Sequence, residues 1–171
     1  MGRRRGERVS RRSAPAKYSV RLRARFAETD GLRIVHHTAY FVWFEVARTE
    51  LLRSIGLPYT EIQKRGFNTP LVEAFANYKA PARYDDEVEV KIWAGKIGRS
   101  SLRMEYEVTK LPGGELLCTG HTVHVLIGGD GKPKKIPDDL RERLSSWSST
   151  GRPTRRSPSP TSERGHNVNS R

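Results

Sequence analysis

The sequence has only one cysteine, Cys118, among its 171 residues. A single thiol cannot form a disulfide within the chain, so the fold is expected to hold without a covalent cross-link. Long apolar runs are missing as well, and none approaches the roughly 18–20 residues that a membrane-spanning helix needs. The arginine-rich start has no apolar segment behind it, which argues against a secretory signal. Together these absences predict a cytoplasmic protein without a membrane span.

Acidic residues are also scarce: 19 Asp and Glu stand against 32 Lys and Arg, a net charge of +13. Residues 1–17 hold seven of the basic residues and one acid, and residues 145–171 hold five and one. The centre, 18–144, holds twenty and seventeen and is close to balanced. We therefore predict one folded domain between a disordered basic arm and a disordered Ser/Pro/Arg-rich tail. Nucleic-acid binding is not expected of the domain itself and is left to the basic tails.

Apolar and basic residues alternate over 18–26, which predicts a half-buried strand because side chains two positions apart share a face. The residues Thr-Asp-Gly at 29–31 come next and predict a turn. An aromatic-rich helix is then predicted from about Thr38, as its N-cap, to Ile55. The apolar positions of this helix fall on one stripe at helical spacing: Tyr40, Phe44, Ala47, Leu51 and Ile55.

After this helix most of the chain has the composition of strands. Short helices are predicted over 58–65 and near the end of the domain, closing near Leu144. Between them, four segments rich in β-branched and aromatic residues predict strands in hairpin-like succession: 71–79, 87–97, 100–111 and 115–127. Gly113 and Gly114 can supply the positive φ angles of one hairpin turn.

Four long antiparallel strands must curl, and the single long apolar helix is what they can curl around. The predicted fold class is α+β, an antiparallel sheet wrapped around one long central helix. Such a sheet leaves edges open, so a homodimer or homotetramer is expected.

A polar loop containing Asp30, His36 and His37 precedes the long helix. A carboxylate just ahead of a helix start lies beside backbone N–H groups that have no partner within the helix. Such donors can hold a carbonyl oxygen while the carboxylate attacks the carbonyl carbon or activates a water molecule. The residues do not decide between these two roles. An aspartate of this kind, taken alone, is more simply a turn former.

The residues FAETD at 26–30 and IVHHTAYFVWFEVAR at 34–48 resemble the hotdog-fold acyl-CoA thioesterases of the 4-hydroxybenzoyl-CoA thioesterase type. The likeness covers about 18–144 and continues in four further segments: NTPLVE at 68–73, PARYDDEV at 81–88, GRSS at 98–101 and IPDDL at 136–140. The resemblance implies a hotdog fold that forms dimers or tetramers with active sites at the subunit interface. It also implies hydrolysis of an acyl or aryl thioester to the free acid and coenzyme A.

The same resemblance implies roles for individual residues. Asp30 matches the catalytic aspartate, and His37 matches the helix-start residue whose N–H polarises the thioester carbonyl. Arg99 and Ser100 match residues that contact coenzyme A phosphates, although an arginine in a turn is often simply solvated. Apart from the resemblance, the aromatic stripe of the helix is expected to belong to the core, and Tyr40, near the helix start, is the member expected to touch an acyl group.

Two positions depart from the pattern of the family. Arg33 stands where glycine is usual, so we expect the loop to have a different shape or to use the freedom of Gly31 instead. Phe26 replaces a tyrosine found in many relatives, which removes a hydroxyl near Asp30. These departures leave an alternative function open, a non-hydrolytic hotdog protein that binds an acyl thioester or an acyl carrier protein.

Neither a cofactor nor a metal ion is expected. His121 and His124 are three positions apart in a predicted strand and should point to opposite faces. One cysteine is too few for a typical structural zinc site.

Overall fold

The long helix α1 (Ala39–Ser54) lies against one face of a five-stranded sheet in the computed structural model, which describes residues 16–150. The other elements are β1 (Tyr18–Arg23), α2 (Tyr59–Lys64), β2 (Leu71–Tyr78), β3 (Glu87–Ile97), β4 (Ser101–Leu111), β5 (Glu115–Val125) and α3 (Asp138–Thr150). A short 3-10 turn, Phe26–Glu28, follows β1. The strand order is β1-β3-β4-β5-β2, and every neighbouring pair is antiparallel. The predicted α+β class is confirmed.

The centre of the core lies between α1 and the sheet. All five residues of the predicted stripe are buried: Tyr40, Phe44, Ala47, Leu51 and Ile55. The ring of Phe44 stacks on that of Tyr106, with 4.2 Å between centroids. Gly120 on β5 permits this approach, because a Cβ there would lie 2.8 Å from the Phe44 ring and 2.4 Å from the carbonyl oxygen of Phe75. A side chain at position 120 would therefore push the helix off the sheet.

The predicted hairpin succession is correct for three strands and wrong for β2. β3, β4 and β5 form two hairpins, and the turn between the last two uses Gly113 and Gly114 at φ 113° and 73°. β2 pairs with β5 at the far edge of the sheet instead of with β3. The reason is that the β2–β3 connection crosses the end of the sheet. Its backbone forms hydrogen bonds with the segment between β1 and α1, so it makes no tight turn. The N–H of Asp85 donates to the carbonyl of Ala24, and the N–H of Val35 donates to the carbonyl of Ala82.

Two predicted element boundaries are also wrong, those of β1 and α3. β1 ends at Arg23 and not at Phe26, because the chain bends into the 3-10 turn and leaves the Phe26 ring exposed. The predicted start of α1 is confirmed, since Thr38 is its N-cap residue, although the Thr38 hydroxyl lies 2.8 Å from Nδ1 of His36 and makes no capping bond. α3 continues to Thr150 instead of ending near Leu144, because the sequence has no glycine or proline between Pro137 and Gly151 to end the helix.

Lys17, which composition groups with the basic arm, belongs to the folded unit. Its Nζ lies 2.8 Å from the carboxylate of Glu107 and 4.4 Å from the centroid of the Trp93 ring. Residues 1–15 and 151–171 lie outside the described residues, so the expectation of disordered ends stays a prediction. Within residues 16–150, no helix is both long enough and apolar enough to cross a membrane.

Candidate active site

Asp30 lies in a closed loop between β1 and α1. Thr29 and Val35 form an isolated β-bridge, and the N–H of Asp30 donates to the carbonyl of Ile34 at 3.0 Å. One carboxylate oxygen of Asp30, Oδ1, accepts the N–H of Leu32 at 2.8 Å, which is the geometry of an Asx turn. The aspartate is thus a turn former, as its sequence context alone suggests. Its other oxygen, Oδ2, accepts no hydrogen bond from the described residues.

Arg33 adopts the left-handed backbone conformation, with φ at 60°. Gly31 is not among the residues with positive φ. The expectation that the loop changes shape or uses Gly31 is therefore wrong, because Arg33 itself takes the conformation that glycine adopts most easily. This conformation costs a residue with a side chain roughly 1–2 kcal/mol.

The start of α1 presents a free backbone donor. The carbonyl of His36 accepts the N–H of Ala39 at 2.9 Å, and the carbonyl of His37 accepts the hydroxyl of Tyr78 at 2.9 Å. The N–H of His37 has no acceptor among the described residues. In a trans peptide this N–H points opposite to the preceding carbonyl, so it is directed away from α1. It is the kind of donor that can stabilise an oxyanion.

Asp30 and His37 line the same cavity, of about 410 Å³. Most of the other residues around it are apolar or aromatic, and one is a lysine: Leu32, Ile34, Val35, Tyr40, Tyr78, Lys79, Ala80 and Pro81. Tyr40 is 2% exposed and accepts the N–H of Ala82 at 3.3 Å, so it forms the back wall. Burial raises the pKa of Tyr40 to about 12. The tyrosine is therefore a neutral part of the cavity wall. It is also a core residue, as the sequence analysis expected of the aromatic stripe.

Arg99 and Ser100 lie at the opposite end of the sheet from Asp30. They form the β3–β4 turn, where their carbonyls accept the N–H groups of Ile136 and Leu126 at 2.8 and 2.7 Å. Neither residue lines the cavity that contains Asp30. One chain therefore brings Asp30, His37 and Tyr40 together and leaves the two predicted phosphate-contacting residues apart from them.

A second cavity, of about 280 Å³, lies at that opposite end, between α1 and the start of β2. A buried chain of hydrogen bonds forms its floor: Tyr106 to Thr122 at 2.9 Å, Thr122 to His124 at 3.1 Å, and His124 to the carbonyl of Thr69 at 3.2 Å. Burial, and the charge of Arg48, lower the pKa of His124 to about 4. Arg48 borders the cavity and forms no ion pair with a carboxylate of the described residues.

The two strand histidines point to opposite faces, as predicted. His124 is buried toward α1, whereas His121 contacts Glu73 and stacks on Phe75 on the outer face of the sheet. Among the described residues, no cluster of three or more His, Cys, Asp or Glu side chains could hold a metal ion.

Two residues at the site were not found by sequence reasoning, Glu28 and Tyr78. Tyr78 ends β2 and reaches the helix start through its hydroxyl, a contact between distant segments that leaves no local signal. Glu28 had a weak local signal, its position three residues after Arg25, which is the spacing of a capping box.

Residues 24–144 match the family model of the Thioesterase-like superfamily. The chain belongs to this hotdog-fold family and is a thioester hydrolase. The family predicted from the sequence resemblance is confirmed.

Individual relatives cover nearly the whole folded part. A protein of Aquifex aeolicus, provisionally named an esterase, is 37% identical over 127 residues, 74% of this chain and 97% of that protein. YneP of Bacillus subtilis, provisionally named an acyl-CoA thioesterase, is 30% identical over 126 residues, 74% and 88% of the two chains. The crystal structure of DHNA-CoA thioesterase from Staphylococcus aureus matches with a TM-score of 0.73 at 32% identity, covering 79% and 93% of the two chains.

Proposed function

We propose that the chain hydrolyses an acyl or aryl thioester of coenzyme A to the free acid and coenzyme A, using Asp30 and the N–H of His37. One observation carries this proposal. Asp30 and His37 line the same largely apolar cavity, and within residues 16–150 neither Oδ2 of Asp30 nor the N–H of His37 has a hydrogen-bond partner. A thioester carbonyl placed between them has a donor for its oxygen and a carboxylate for its carbon.

Two routes are compatible with this arrangement. In the first, Asp30 attacks the carbonyl carbon, the C–S bond breaks, the sulfur leaves and takes a proton, and water cleaves the resulting anhydride. In the second, Asp30 takes a proton from a water molecule, which attacks the carbon directly. An acyl group found on the Asp30 peptide after rapid acid quench would identify the first route. A quench that yields no adduct, together with no burst of thiol release, would identify the second.

The substrate class is supported by the lining of the cavity and by the relatives. Leu32, Val35 and Pro81 offer apolar surface to an acyl or aryl group. The names of the relatives include an acyl-CoA thioesterase and a DHNA-CoA thioesterase, one acyl and one aryl thioester. A carrier-protein thioester is the alternative form of the same substrate.

We further propose that a second copy of the chain completes the site. β2 is an edge strand, and an open edge pairs readily with another strand. Large apolar side chains on it are exposed: Leu71, Val72, Phe75 and Tyr78. Two-fold pairing of β2 edges is antiparallel, so the Tyr78 end of one strand lies beside the Leu71 end of the other.

This pairing would reunite the residues that one chain separates. Asp30 lies at the Tyr78 end of β2, and Arg99 and Ser100 lie at the Leu71 end. The two-fold operation places the Leu71 end of β2 in one copy beside the Tyr78 end of β2 in the other. Arg99 of the partner subunit is then available to the phosphates of coenzyme A bound at Asp30.

The test of the activity is thiol release from benzoyl-, short-chain and medium-chain acyl-CoAs by the parent and by Asp30→Asn. Asp130→Asn is a matched control, because Oδ1 of Asp130 also accepts the N–H two residues ahead, at 3.1 Å. Turnover that collapses in the first variant alone supports the proposal. Binding of acyl-CoA with no turnover by the folded parent would support the non-hydrolytic alternative instead.

The test of the dimer is the molar mass of the parent and of Ala74→Lys by light scattering. A lysine on the exposed edge strand should halve the mass and abolish turnover, with the circular dichroism spectrum retained. Ser19→Lys places the same charge on β1, the other edge of the sheet, and should change neither quantity.

A further inference from the structure

The carboxylate of Glu28 is almost enclosed, with its side chain 8% exposed. Oε2 accepts the backbone N–H of Arg25 at 2.8 Å. Oε1 accepts the guanidinium of Arg25 at 2.8 Å and the indole N–H of Trp43 at 3.1 Å. Both carboxylate oxygens are thus engaged, and one of them reaches across to the second turn of α1.

The backbone of Glu28 is engaged as well. Its carbonyl accepts the N–H of His36 at 2.8 Å, one residue before the free N–H of His37. Two residues after Glu28 comes Asp30. Glu28 therefore contacts three parts of the site. It bonds to Arg25 at the start of the Asp30 loop, to His36 next to the proposed oxyanion donor, and to Trp43 on α1.

We propose that Glu28 is a positioning residue that fixes Asp30 relative to the His37 N–H. Its side chain anchors the loop to Trp43, and its carbonyl holds the segment that leads to His37. The two groups that act on the thioester lie on opposite arms of this loop, so their separation depends on how firmly its base is held. Reacting groups displaced by about 1 Å lose on the order of 100-fold in rate.

The chemistry of the contacts favours a carboxylate over any neutral side chain. An ionised carboxylate can only accept hydrogen bonds, and the Glu28 carboxylate has three donors around it. These are the backbone N–H and the guanidinium of Arg25 and the indole N–H of Trp43. Burial alone raises the pKa of Glu28, but the hydrogen bonds from Arg25 and Trp43 outweigh it and lower the pKa below its usual value. Glutamine has the same shape but must turn an N–H₂ group toward at least one donor, so it cannot keep all three bonds.

The inference rests on the proposed function, and the experiment separates the two. Turnover is measured for the parent, Asp30→Asn, Glu28→Gln and the control Glu61→Gln, an exposed helical glutamate bonded to Lys64. Amide hydrogen exchange is measured on the same proteins, because it reports the loop without reference to any substrate. We expect Glu28→Gln to lose roughly 10- to 100-fold in kcat. KM should stay within a factor of about three, since the cavity walls are untouched.

Hydrogen exchange at residues 29–37 should quicken in Glu28→Gln, with the β3–β4 hairpin unchanged, and Glu61→Gln should match the parent in every measurement. Trp43→Phe removes one donor to Glu28, so the double variant should lose no more kcat than the worse single variant. If the parent is active and Glu28→Gln has the same kcat, the inference about Glu28 is overturned. The same holds if hydrogen exchange in the loop is unchanged in Glu28→Gln. Quickened exchange in Glu28→Gln, together with a parent that hydrolyses none of the thioesters, would sustain the anchoring role and reject the proposed function.

Discussion

The hydroxyl of Tyr78, the last residue of an edge strand, donates a hydrogen bond of 2.9 Å to the carbonyl of His37 at the start of the long helix. This bond joins the two sides of the Asp30 cavity, which both residues line. The ring of Tyr78 also packs edge-on against Tyr40, with 5.1 Å between centroids. If β2 pairs with a second copy, the bond links the subunit contact to the residue whose N–H is the proposed oxyanion donor.

Tyr78→Phe should lower kcat on the order of tenfold, because loss of a hydrogen bond of about 1 kcal/mol loosens His37, whose N–H is the proposed oxyanion donor. The ring remains, so the free energy of unfolding should change little. Tyr84→Phe is the control, since Tyr84 is 59% exposed and away from the cavity. Equal kcat for Tyr78→Phe and the parent would show that the bond does not matter to turnover.

Arg33→Gly should raise the free energy of unfolding by about 0.5–1 kcal/mol. The substitution relieves the left-handed conformation at φ 60°, worth roughly 1–2 kcal/mol, and gives back about 0.5–1 kcal/mol through the greater freedom of glycine in the unfolded chain. Denaturant unfolding measures the change. Leu32→Gly, at a neighbouring position without positive φ, has nothing to relieve and should be less stable than the parent.

Stability should fall in acid because of His124. Its pKa is about 4 in the fold, lowered by burial and by Arg48, against about 6.5 when unfolded. The unfolded chain therefore binds more protons between these values, and stability is lost as pH falls from 6.5 toward 4. Between pH 7.5 and pH 5 this one group should cost about 2 kcal/mol.

The measurement is the free energy of unfolding of the parent and of His124→Phe at both pH values. The variant loses its hydrogen bonds to Thr69 and Thr122 and should be less stable throughout. Its stability should nevertheless depend less on pH than that of the parent. The same pH dependence in both proteins would contradict the assignment to His124.

Gly120→Ala should destabilise the fold by about 1–3 kcal/mol or more, as overpacking does in a full core. The new Cβ would lie 2.4 Å from a backbone carbonyl oxygen and 2.8 Å from the Phe44 ring. Gly129→Ala is the matched control, because nothing lies within 4 Å of a Cβ there and its φ is not positive. Thermal unfolding of the two variants should give clearly different midpoints.

Arg99→Gln should raise KM for acyl-CoA several-fold with little change in kcat, because loss of a phosphate contact weakens ground-state and transition-state binding alike. The effect should vanish with a thioester that lacks the nucleotide, such as an acyl N-acetylcysteamine. Arg21→Gln, on the exposed face of β1, is the control. A rise in KM for both thioesters would argue against the phosphate assignment.

Local patterns in the sequence predicted the elements and indicated the kind of site to propose. Period-two alternation predicted β1, helical spacing predicted the buried face of α1, and paired glycines predicted one turn, because each reports a backbone geometry set by near neighbours. The loop that holds Asp30 before a helix start could be read in the same way. A resemblance over 18–144 was needed to propose a thioesterase site in that loop.

Which distant residues meet depends on how the elements pack in three dimensions. The tertiary structure put β2 at the far edge of the sheet, separated Arg99 from Asp30, and joined Tyr78 to His37 and Glu28 to Trp43. It also placed Arg33 in the left-handed conformation, since the hydrogen bonds of the closed loop outweigh the cost. The physical reason is that a local pattern specifies which face of an element is apolar, whereas strand partners and side-chain contacts follow from packing whole elements together.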